Sequence, residues 1–460
     1  MSAGFPLTPQ PMMDLRHAAR LAGGALRGDN APVSRVTTDS RDIAPGDLFV
    51  ALKGERFDGH DYVERALDLG AAAAVVSRPV ARASRSIVVD DTRLALGRLG
   101  AGWRAQYTMP LVALTGSNGK TTVKEMLAAI LATHVGSRDQ VLATEGNLNN
   151  DIGMPLTLLK LRERHHYAVI EMGMNHAGEI DYLTRLAQPT VAIVNNAQRA
   201  HVGLLGSVKA IAQAKGEIYA GLKPSGIAVL NADDTFASYW RGLNAGRRIV
   251  TFGLSPEADV RATRDGSQVR IVTPADAFAV TLQVAGEHNV RNALAACAAA
   301  HALEIPPAAM QSALNGFAGV PGRLQRGRAP WGAWVIDDSY NANPESMKAA
   351  IDVLAAEAAR KVFVMGDMGE LGDDAPSLHR EVGAHAKARG IDALMSLGAA
   401  SRGAADAFGA GARAFDDVAS LIAEARRESQ GGAVVLVKGS RFMKMERVAD
   451  ALAGEGADAA

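Results

Sequence analysis

One stretch of the sequence combines a glycine-rich turn with a lysine and two threonines. It reads Gly116-Ser117-Asn118-Gly119-Lys120-Thr121-Thr122 and follows the apolar, β-branched run 111–115. The run predicts a strand and the residues after the turn predict a helix, so backbone N–H groups and the helix dipole can bind an anion. In such loops the lysine reaches the terminal phosphates of a nucleotide and the first threonine can hold Mg²⁺. The stretch predicts a nucleotide site, although Leu114 stands where the commonest phosphate loop has glycine.

Three side chains farther along could complete this chemistry. Glu171 ends the apolar run 167–171, where a phosphate-loop protein usually places a Mg²⁺-binding carboxylate; the alternative is an exposed acid at a strand end. His201 follows the predicted strand 191–196 and is either a ligand or a solvated or structural histidine. Lys215 lies on a predicted helix, where a lysine is normally a surface charge.

Two more candidates lie later in the chain. Asn289 precedes a predicted helix, and because asparagine is a common N-cap, the capping role is as good an interpretation as a ligand role. Arg323, in the predicted hinge Pro321-Gly322-Arg323, either completes the phosphate site from another domain or is solvated.

Hydroxyls, an arginine and glycine turns also cluster near the N-terminus. The segments 37–41 and 53–60 contain these residues. The two segments either bind a phosphorylated or sugar ligand or are ordinary solvated loops.

Composition limits the class of protein. The 460 residues require two or three domains, and 48% hydrophobic with 21% charged residues is a globular balance. Lys+Arg and Asp+Glu are both 49, which predicts no general attraction to nucleic acid or to an anionic membrane. Residues 1–14 lack a leader pattern, no apolar stretch is long enough to span a membrane, and the single cysteine, Cys297, cannot form an internal disulfide. We expect a cytoplasmic protein with buried Cys297.

The order of apolar runs predicts an α/β protein of three domains. Residues 1–108 form a small α/β domain, 109–318 a central phosphate-loop domain with a mostly parallel sheet, and 319–460 a Rossmann-like domain without a dinucleotide glycine fingerprint. The segment 259–284 alternates like antiparallel strands added to an edge of the central sheet.

The motifs taken together resemble the Mur ligases of peptidoglycan precursor synthesis over nearly the whole chain. Eight motifs carry the resemblance in order: Asp39-Ser40-Arg41 with 46–51, the phosphate loop 115–125, Glu145-Gly-Asn-Leu-Asn149-Asn150 before 152–155, Glu171-Met-Gly-Met-Asn175, Ala214-Lys215-Gly-Glu-Ile218, Asp338-Ser-Tyr-Asn341-Ala-Asn343-Pro344, Gly366-Asp-Met-Gly-Glu-Leu-Gly372 and Val437-Lys-Gly-Ser440.

The resemblance implies roles for these positions. Lys120 would hold the β- and γ-phosphates, Thr121 and Glu171 a first Mg²⁺, and His201 a second. Lys215 matches a lysine that relatives carry as a carbamate on the metal side, which requires a shielded amine with a lowered pKa. Asn289, Arg323 and Asp338 match nucleotide contacts, with Asp338 at the ribose. Ser40, Arg41, Asn149 and Asn150 match the surroundings of a UDP-sugar substrate, and Asn341 and Asn343 lie in the motif assigned to substrate binding.

The implied activity is ATP-driven amide formation through an acyl phosphate, joining D-alanyl-D-alanine to UDP-MurNAc-tripeptide. The family member that adds a diamino acid carries Asp-Asn-Pro-Arg, whereas this chain has Asn341-Ala-Asn343-Pro344-Glu345, which favours the dipeptide step. The expected cofactors are ATP and two Mg²⁺, the expected partners are small molecules, and a monomer is expected. The alternatives are another Mur ligase, a folylpolyglutamate synthetase-like ligase, a non-catalytic nucleotide-binding protein, and a nucleic-acid motor, which neutral charge disfavours.

Overall fold

A computed structural model of the chain describes residues 11–81, 83–265 and 268–454. Most of the stretch 1–14, for which no leader is expected, therefore lies outside the described residues. Within them the chain forms three successive α/β units, and the predicted fold class is confirmed. No helix in these ranges combines the length and the apolar character needed to cross a bilayer.

The N-terminal unit is a five-stranded sheet with a short two-stranded ribbon. Its elements are β1 Met13–Asp14, α1 Leu15–Ala22, β2 Ala25–Arg27, β3 Pro32–Val33, β4 Arg35–Thr37, β5 Asp47–Val50, α2 Val63–Asp68, β6 Ala73–Val76, β7 Ser86–Val88 and α3 Thr92–Arg104. The sheet order is β2-β7-β6-β5-β4, parallel except for β2, and β1 pairs with β3. The helix α3 begins at Asp91, whose carboxylate accepts the N–H groups of Arg93 and Leu94.

The central unit carries the phosphate loop on a nine-stranded sheet. Its elements are β8 Leu111–Thr115, α4 Lys120–Val135, β9 Val141–Ala143, α5 Gly153–Leu158, β10 Tyr167–Glu171, α6 Glu179–Ala187, β11 Val191–Val194, α7 Val202–Leu205, α8 Val208–Gly216, β12 Ile227–Asn231, α9 Ala237–Leu243, β13 Arg248–Gly253, β14 Val260–Asp265, β15 Gln268–Val272, β16 Ala277–Val280, α10 Glu287–Ala302 and α11 Pro307–Asn315. The order is β16-β15-β14-β13-β12-β11-β8-β10-β9.

The strands from β9 to β14 in this order are parallel, and β15 and β16 are added antiparallel, as the alternation of 259–284 predicts. The strands β11, β8 and β10 are neighbours near the β9 end of the sheet. The phosphate loop, Glu171 and the loop 195–201 follow these strands, so all three meet at the carboxyl edge of the sheet. Cys297 is fully buried in α10, as expected.

The C-terminal unit is a six-stranded sheet between helices. Its elements are β17 Gln325–Arg328, β18 Trp334–Asp338, α12 Pro344–Ala355, β19 Lys361–Gly366, α13 Ala375–Ala388, β20 Ala393–Leu397, α14 Arg402–Phe408, β21 Ala412–Phe415, α15 Val418–Glu428, β22 Val434–Lys438 and α16 Glu446–Ala453. The order is β17-β18-β22-β19-β20-β21, parallel except for β17.

The N-terminal and central units share one hydrophobic core. Buried side chains of α3, such as Leu96 and Leu99, belong to the same cluster as Ile170 of β10 and Ile180 of α6. The indole N–H of Trp103, on α3, donates to the carbonyl of Leu161 at 3.1 Å across this junction. The two units are therefore joined by apolar packing, and we expect them to unfold together.

Truncation of Leu99 tests this shared core. Leu99→Ala is expected to destabilise the protein by about 3 kcal/mol because it leaves a cavity between two units. Leu94→Ala is the matched control, since Leu94 lies on the same helix with 45% of its side chain exposed. Urea unfolding followed by circular dichroism should show a large shift for Leu99→Ala alone; equal shifts for both variants would contradict the assignment.

Candidate active site

The phosphate loop occupies the turn between β8 and α4. Gly119 has φ +79°, and a Cβ there would lie 2.2 Å from Asn292 Oδ1 and 2.8 Å from Asn195 Nδ2. Only glycine fits this position, because both the backbone conformation and the available space exclude a side chain. The turn therefore directs backbone N–H groups and the start of α4 toward the cavity, which creates an anion site.

Lys120 and Thr121, the first residues of α4, face this site. Lys120 Nζ donates to the carbonyl of Gly116 at 2.8 Å, and burial lowers the pKa of its ammonium group. Thr121 Oγ1 donates to Glu171 Oε2 at 3.0 Å and accepts from Arg323 Nη2 at 3.0 Å. Two basic side chains and a hydroxyl thus surround one point, and a phosphoryl group there would favour the charged form of Lys120.

Arg323 reaches the site from the segment between α11 and β17. Its guanidinium lies 4.3 Å above the ring of Tyr340, and its Nε is buried with no hydrogen-bond partner among the described residues. A buried donor without a partner is costly, so this arginine is arranged to receive an acceptor such as a phosphate oxygen.

Thr121 and Glu171 provide a suitable start for a Mg²⁺ site. The other Glu171 oxygen, Oε1, accepts from Asn149 Nδ2 at 2.7 Å, which fixes the carboxylate. Hydroxyl and carboxylate oxygens are the ligands Mg²⁺ prefers, and phosphate oxygens and water usually complete its octahedron. Among residues 11–81, 83–265 and 268–454 no group of three or more His, Cys, Asp or Glu could hold a metal by itself. The donor set fits a cation that arrives with a nucleotide.

His201 lines the cavity and directly precedes α7. It has φ +64°, and its Nδ1 lies 2.6 Å from Glu370 Oε2, although the ring is not aligned for a hydrogen bond. The imidazole lowers the pKa of Glu370. Glu370 belongs to the C-terminal unit, so His201 marks a contact between units.

Lys215 is 1% exposed on α8. Within the described part of the chain its ammonium group has no hydrogen bond or ion pair. Burial lowers the pKa of Lys215 well below its usual range, and the charge of Lys120 lowers it further. The surface-charge interpretation is therefore wrong, and burial beside Lys120 disfavours the charged form of the side chain.

Asn289 lies inside α10, so of its two interpretations the capping role is wrong. The cap position is Gly286, and Asn289 Nδ2 donates to the carbonyl of Ala285 at 2.7 Å. Its Oδ1 accepts from Asn292, whose own Oδ1 accepts from Asn195 Nδ2 at 3.2 Å. The glycine before it can begin the helix without a side-chain cap, which frees Asn289 to line the cavity.

The cavity between the central and C-terminal units has a volume of about 670 Å³. Asp338 lines it, and Lys438 Nζ donates to Asp338 Oδ2 at 2.6 Å and to the carbonyl of Asn341 at 2.9 Å. Asn343 caps α12 and exchanges two hydrogen bonds with Asn118, of 2.7 and 3.3 Å. The C-terminal motif thus touches the phosphate loop directly.

Three predicted substrate residues lie outside this cavity. Arg41 is exposed and pairs with Asp39 at 2.7 Å, and neither it nor Ser40 lines the cavity. Asn150 accepts the N–H of Gly153 at 2.8 Å at the start of α5. Asn149, by contrast, lines the cavity and holds Glu171.

Several cavity residues are not among the sequence-predicted set. Asn195, Asn196, Gln198, Asn292, Tyr340, Glu370 and Lys438 all line it. The pair Asn195-Asn196 directly after a buried strand is a signal that could have revealed two of them, since polar residues at strand ends mark ligand edges. Of the others, Gln198 and Asn292 are brought to the cavity by packing within the central unit, and Tyr340, Glu370 and Lys438 come from the C-terminal unit.

Family models identify the class of protein that this fold and this site define. The Mur ligase middle domain matches residues 114–300, the Mur ligase glutamate ligase domain 322–441, and the Mur ligase family catalytic domain 32–104. The chain belongs to the Mur ligase family.

Individual relatives show which members of the family the chain is most similar to among those compared. The chain is 43% identical to UDP-N-acetylmuramoyl-tripeptide--D-alanyl-D-alanine ligase of Escherichia coli, across 95% of this chain and 97% of that protein. The Bacillus subtilis protein of the same name is 36% identical across 94% and 97%. The structure of MurF from Acinetobacter baumannii, 38% identical, superposes with a TM-score of 0.90 and covers 98% of this chain and 100% of its own.

Proposed function

We propose that this chain is an ATP-dependent ligase that joins D-alanyl-D-alanine to UDP-N-acetylmuramoyl-tripeptide. Relatives that match nearly end to end carry the name of this activity, and a neighbour from Thermotoga maritima, 27% identical with a TM-score of 0.82, was solved in complex with ADP. The observation that carries the proposal is the meeting of Lys120, Thr121, Glu171 and Arg323 at a cavity shared by two units. Such a site can transfer a phosphoryl group to a carboxylate.

The reaction proceeds in two displacements. The terminal carboxylate oxygen of the tripeptide attacks the γ-phosphorus of ATP, the bond to the β–γ bridging oxygen breaks, and ADP leaves. The amine nitrogen of the dipeptide then attacks the acyl carbon, loses a proton and expels phosphate. Lys120 and Arg323 stabilise the charge on the transferring group, and bound Mg²⁺ would neutralise the same oxygens.

The site residues are assigned on this basis. Residues 116–122, Asn289, Arg323 and Asp338 bind the nucleotide. Thr121 and Glu171 would hold a first Mg²⁺, and His201 and Lys215 would serve a second, with Lys215 as a carbamate, because its amine is buried and its pKa is lowered. Substrate contacts are assigned to Ser40, Arg41, Asn149, Asn150, Asn341 and Asn343.

The domain limits 1–108, 109–318 and 319–460 are part of the same proposal. The three family models fall within these limits. Gly322, which has φ +70°, lies close to the boundary between the second and third domains. The N-terminal unit takes the UDP-sugar, the central unit ATP, and the C-terminal unit the incoming dipeptide.

Phosphate release tests the activity. The protein is assayed with ATP, Mg²⁺, UDP-MurNAc-tripeptide and D-alanyl-D-alanine, and each component is omitted in turn. We expect release only when all four are present. Release with folate and glutamate, or with a free amino acid in place of the dipeptide, would instead assign another ligase activity; nucleotide binding without turnover would indicate a non-catalytic protein.

A further inference from the structure

The C-terminal unit is attached differently from the N-terminal unit. Its two apolar clusters are built from residues 324–452, and among the described residues only the half-buried Val202 packs against them from the central unit. The contacts described above between these two units, Asn118 with Asn343, Thr121 with Arg323, and His201 with Glu370, are polar. Charge and hydrogen bonding, more than apolar burial, hold this interface together.

One cluster of charges lies at this interface and has no role in the reaction described above. It consists of Arg199 from the central unit and Glu345, Lys348 and Glu381 from the C-terminal unit, and we call it the Arg199 cluster. Arg199 donates from Nη1 and Nη2 to the two oxygens of Glu381, both at 2.9 Å, and from Nε to Glu345. Lys348 also pairs with Glu381. A bidentate fork fixes both the distance and the orientation of the two units.

Arg199 is also linked to the phosphate loop through its neighbour Gln198. The backbone N–H of Gln198 donates to Ser117 Oγ at 2.8 Å, and its side-chain oxygen accepts from Asn118 Nδ2 at 2.6 Å. On the other side, Glu345 lies two residues after Asn343, which donates to Asn118 at 2.7 Å. Both partners of the Arg199–Glu345 ion pair are therefore within two residues of a contact to the phosphate loop.

We propose that Arg199 is a positioning residue that sets the C-terminal unit against the phosphate loop through Glu345 and Glu381. It holds the loop 195–201 in register with α12 and α13, and so brings Arg323, Asp338 and Lys438 over the bound nucleotide. The catalytic part of this inference rests on the proposed function; the docking part does not.

The charges of the Arg199 cluster predict whether pH or salt weakens the contact between the two units. The guanidinium of Arg199 and then the ammonium of Lys348 lower the pKa of Glu381 to about 2, so the pair persists at every pH near neutrality. A carboxylate with a lowered pKa loses its contribution only as pH falls through that value. The side chains of Arg199 and Glu381 are 28% and 35% exposed, so salt reaches and screens them. Ionic strength, and not mild acid, should weaken the docking.

Scattering measures the docking without any turnover. We expect the radius of gyration of the ligand-free wild type to increase between about 50 mM and about 500 mM salt, because the Debye length shrinks severalfold. Arg199→Gln and Glu381→Gln should already show the larger value at low salt. Arg185→Gln is the matched control, since Arg185 pairs with Asp181 on the same helix and both side chains are exposed. Identical profiles of wild type and both Arg199 cluster variants at all salt concentrations would overturn the proposal.

The values of kcat and of the Kd for ADP test whether Arg199 positions the C-terminal unit for the reaction. Arg199→Gln is expected to lower kcat roughly tenfold while the Kd for ADP changes by less than about threefold, because the phosphate loop remains but its partner unit is misplaced. Since the two side chains act as a pair, Arg199→Gln with Glu381→Gln should be no slower than the slower single variant. Multiplied losses, or a loss of ADP binding equal to the loss of kcat, would contradict positioning through Glu381.

The scattering and kinetic experiments distinguish failure of the proposed function from failure of the Arg199 inference. If the wild type releases no phosphate with the proposed substrates, the proposed function fails, while the scattering arm still decides whether Arg199 docks the units. If turnover is normal but the salt and variant effects are absent, the Arg199 inference alone fails.

Discussion

Replacement of Lys120 by methionine is expected to reduce kcat for phosphate release at least about 1,000-fold. Lys120 lies at the start of α4 against the carbonyl of Gly116, and its ammonium group would lose that contact only to a stronger acceptor, a phosphate oxygen. Methionine has a similar length and no charge, so the variant should fold while the transferring phosphoryl group loses its nearest cation. Turnover is measured with all four components present, and folding by thermal unfolding.

Lys160→Met provides the matched control for this substitution. Lys160 pairs with Glu145 on the surface, with 45% of its side chain exposed, and such pairs contribute little. Its kcat should equal that of the wild type. If Lys120→Met retained more than about a tenth of the wild-type kcat, the phosphate loop would not be the site of phosphoryl transfer.

The parts of the site that could be predicted from the sequence are those fixed by neighbours in the chain. The phosphate loop needs only an apolar strand, a glycine with positive φ and a helix start, and all three lie within fifteen residues of one another. Glu171 could be predicted for a similar reason, since a carboxylate at the end of a buried strand must emerge at the carboxyl edge of the sheet. The strand and helix order fixed the α/β class in the same way.

What could not be predicted depends on residues far apart in the chain. The helix beginning at Glu287 buries Asn289, and only the packing of α10 against α4 brings Asn292 to Gly119, 173 positions away in the sequence; no local pattern encodes this. Arg199 has the same difficulty, because its partners Glu345 and Glu381 lie in another unit. Lys215 is a third residue whose position could not be predicted. A lysine on a helix is normally solvated, and the burial of Lys215 follows from tertiary structure alone.

Lys215 therefore gives the second large prediction, in which stability and activity change in opposite directions. Lys215→Met should abolish turnover, since it removes the amine proposed as a metal-side ligand, yet raise the melting temperature by roughly 3 °C, because a buried amine without an ion pair is costly to the fold. Lys209→Met, an exposed position on the same helix, should change neither property.

The pH dependence of unfolding distinguishes a buried neutral amine from a buried ammonium group. With its pKa lowered in the folded state, Lys215 binds one more proton in the unfolded chain than in the folded protein at pH values between the two pKa values. Folded stability of the wild type therefore rises with pH across that window, by up to about 1.4 kcal/mol per pH unit from this group. Lys215→Met lacks this contribution, so its stability advantage should shrink between pH 7 and pH 9.

Urea unfolding of both proteins at the two pH values, with and without added bicarbonate, measures this difference. An advantage that does not change with pH would mean that Lys215 keeps its proton in the fold, and the amine could then not react with CO₂. A wild-type stability that rises with bicarbonate while that of Lys215→Met does not would indicate the carbamate directly. In that case the carbamate would supply negative charge at the proposed second metal position, beside the cation of Lys120.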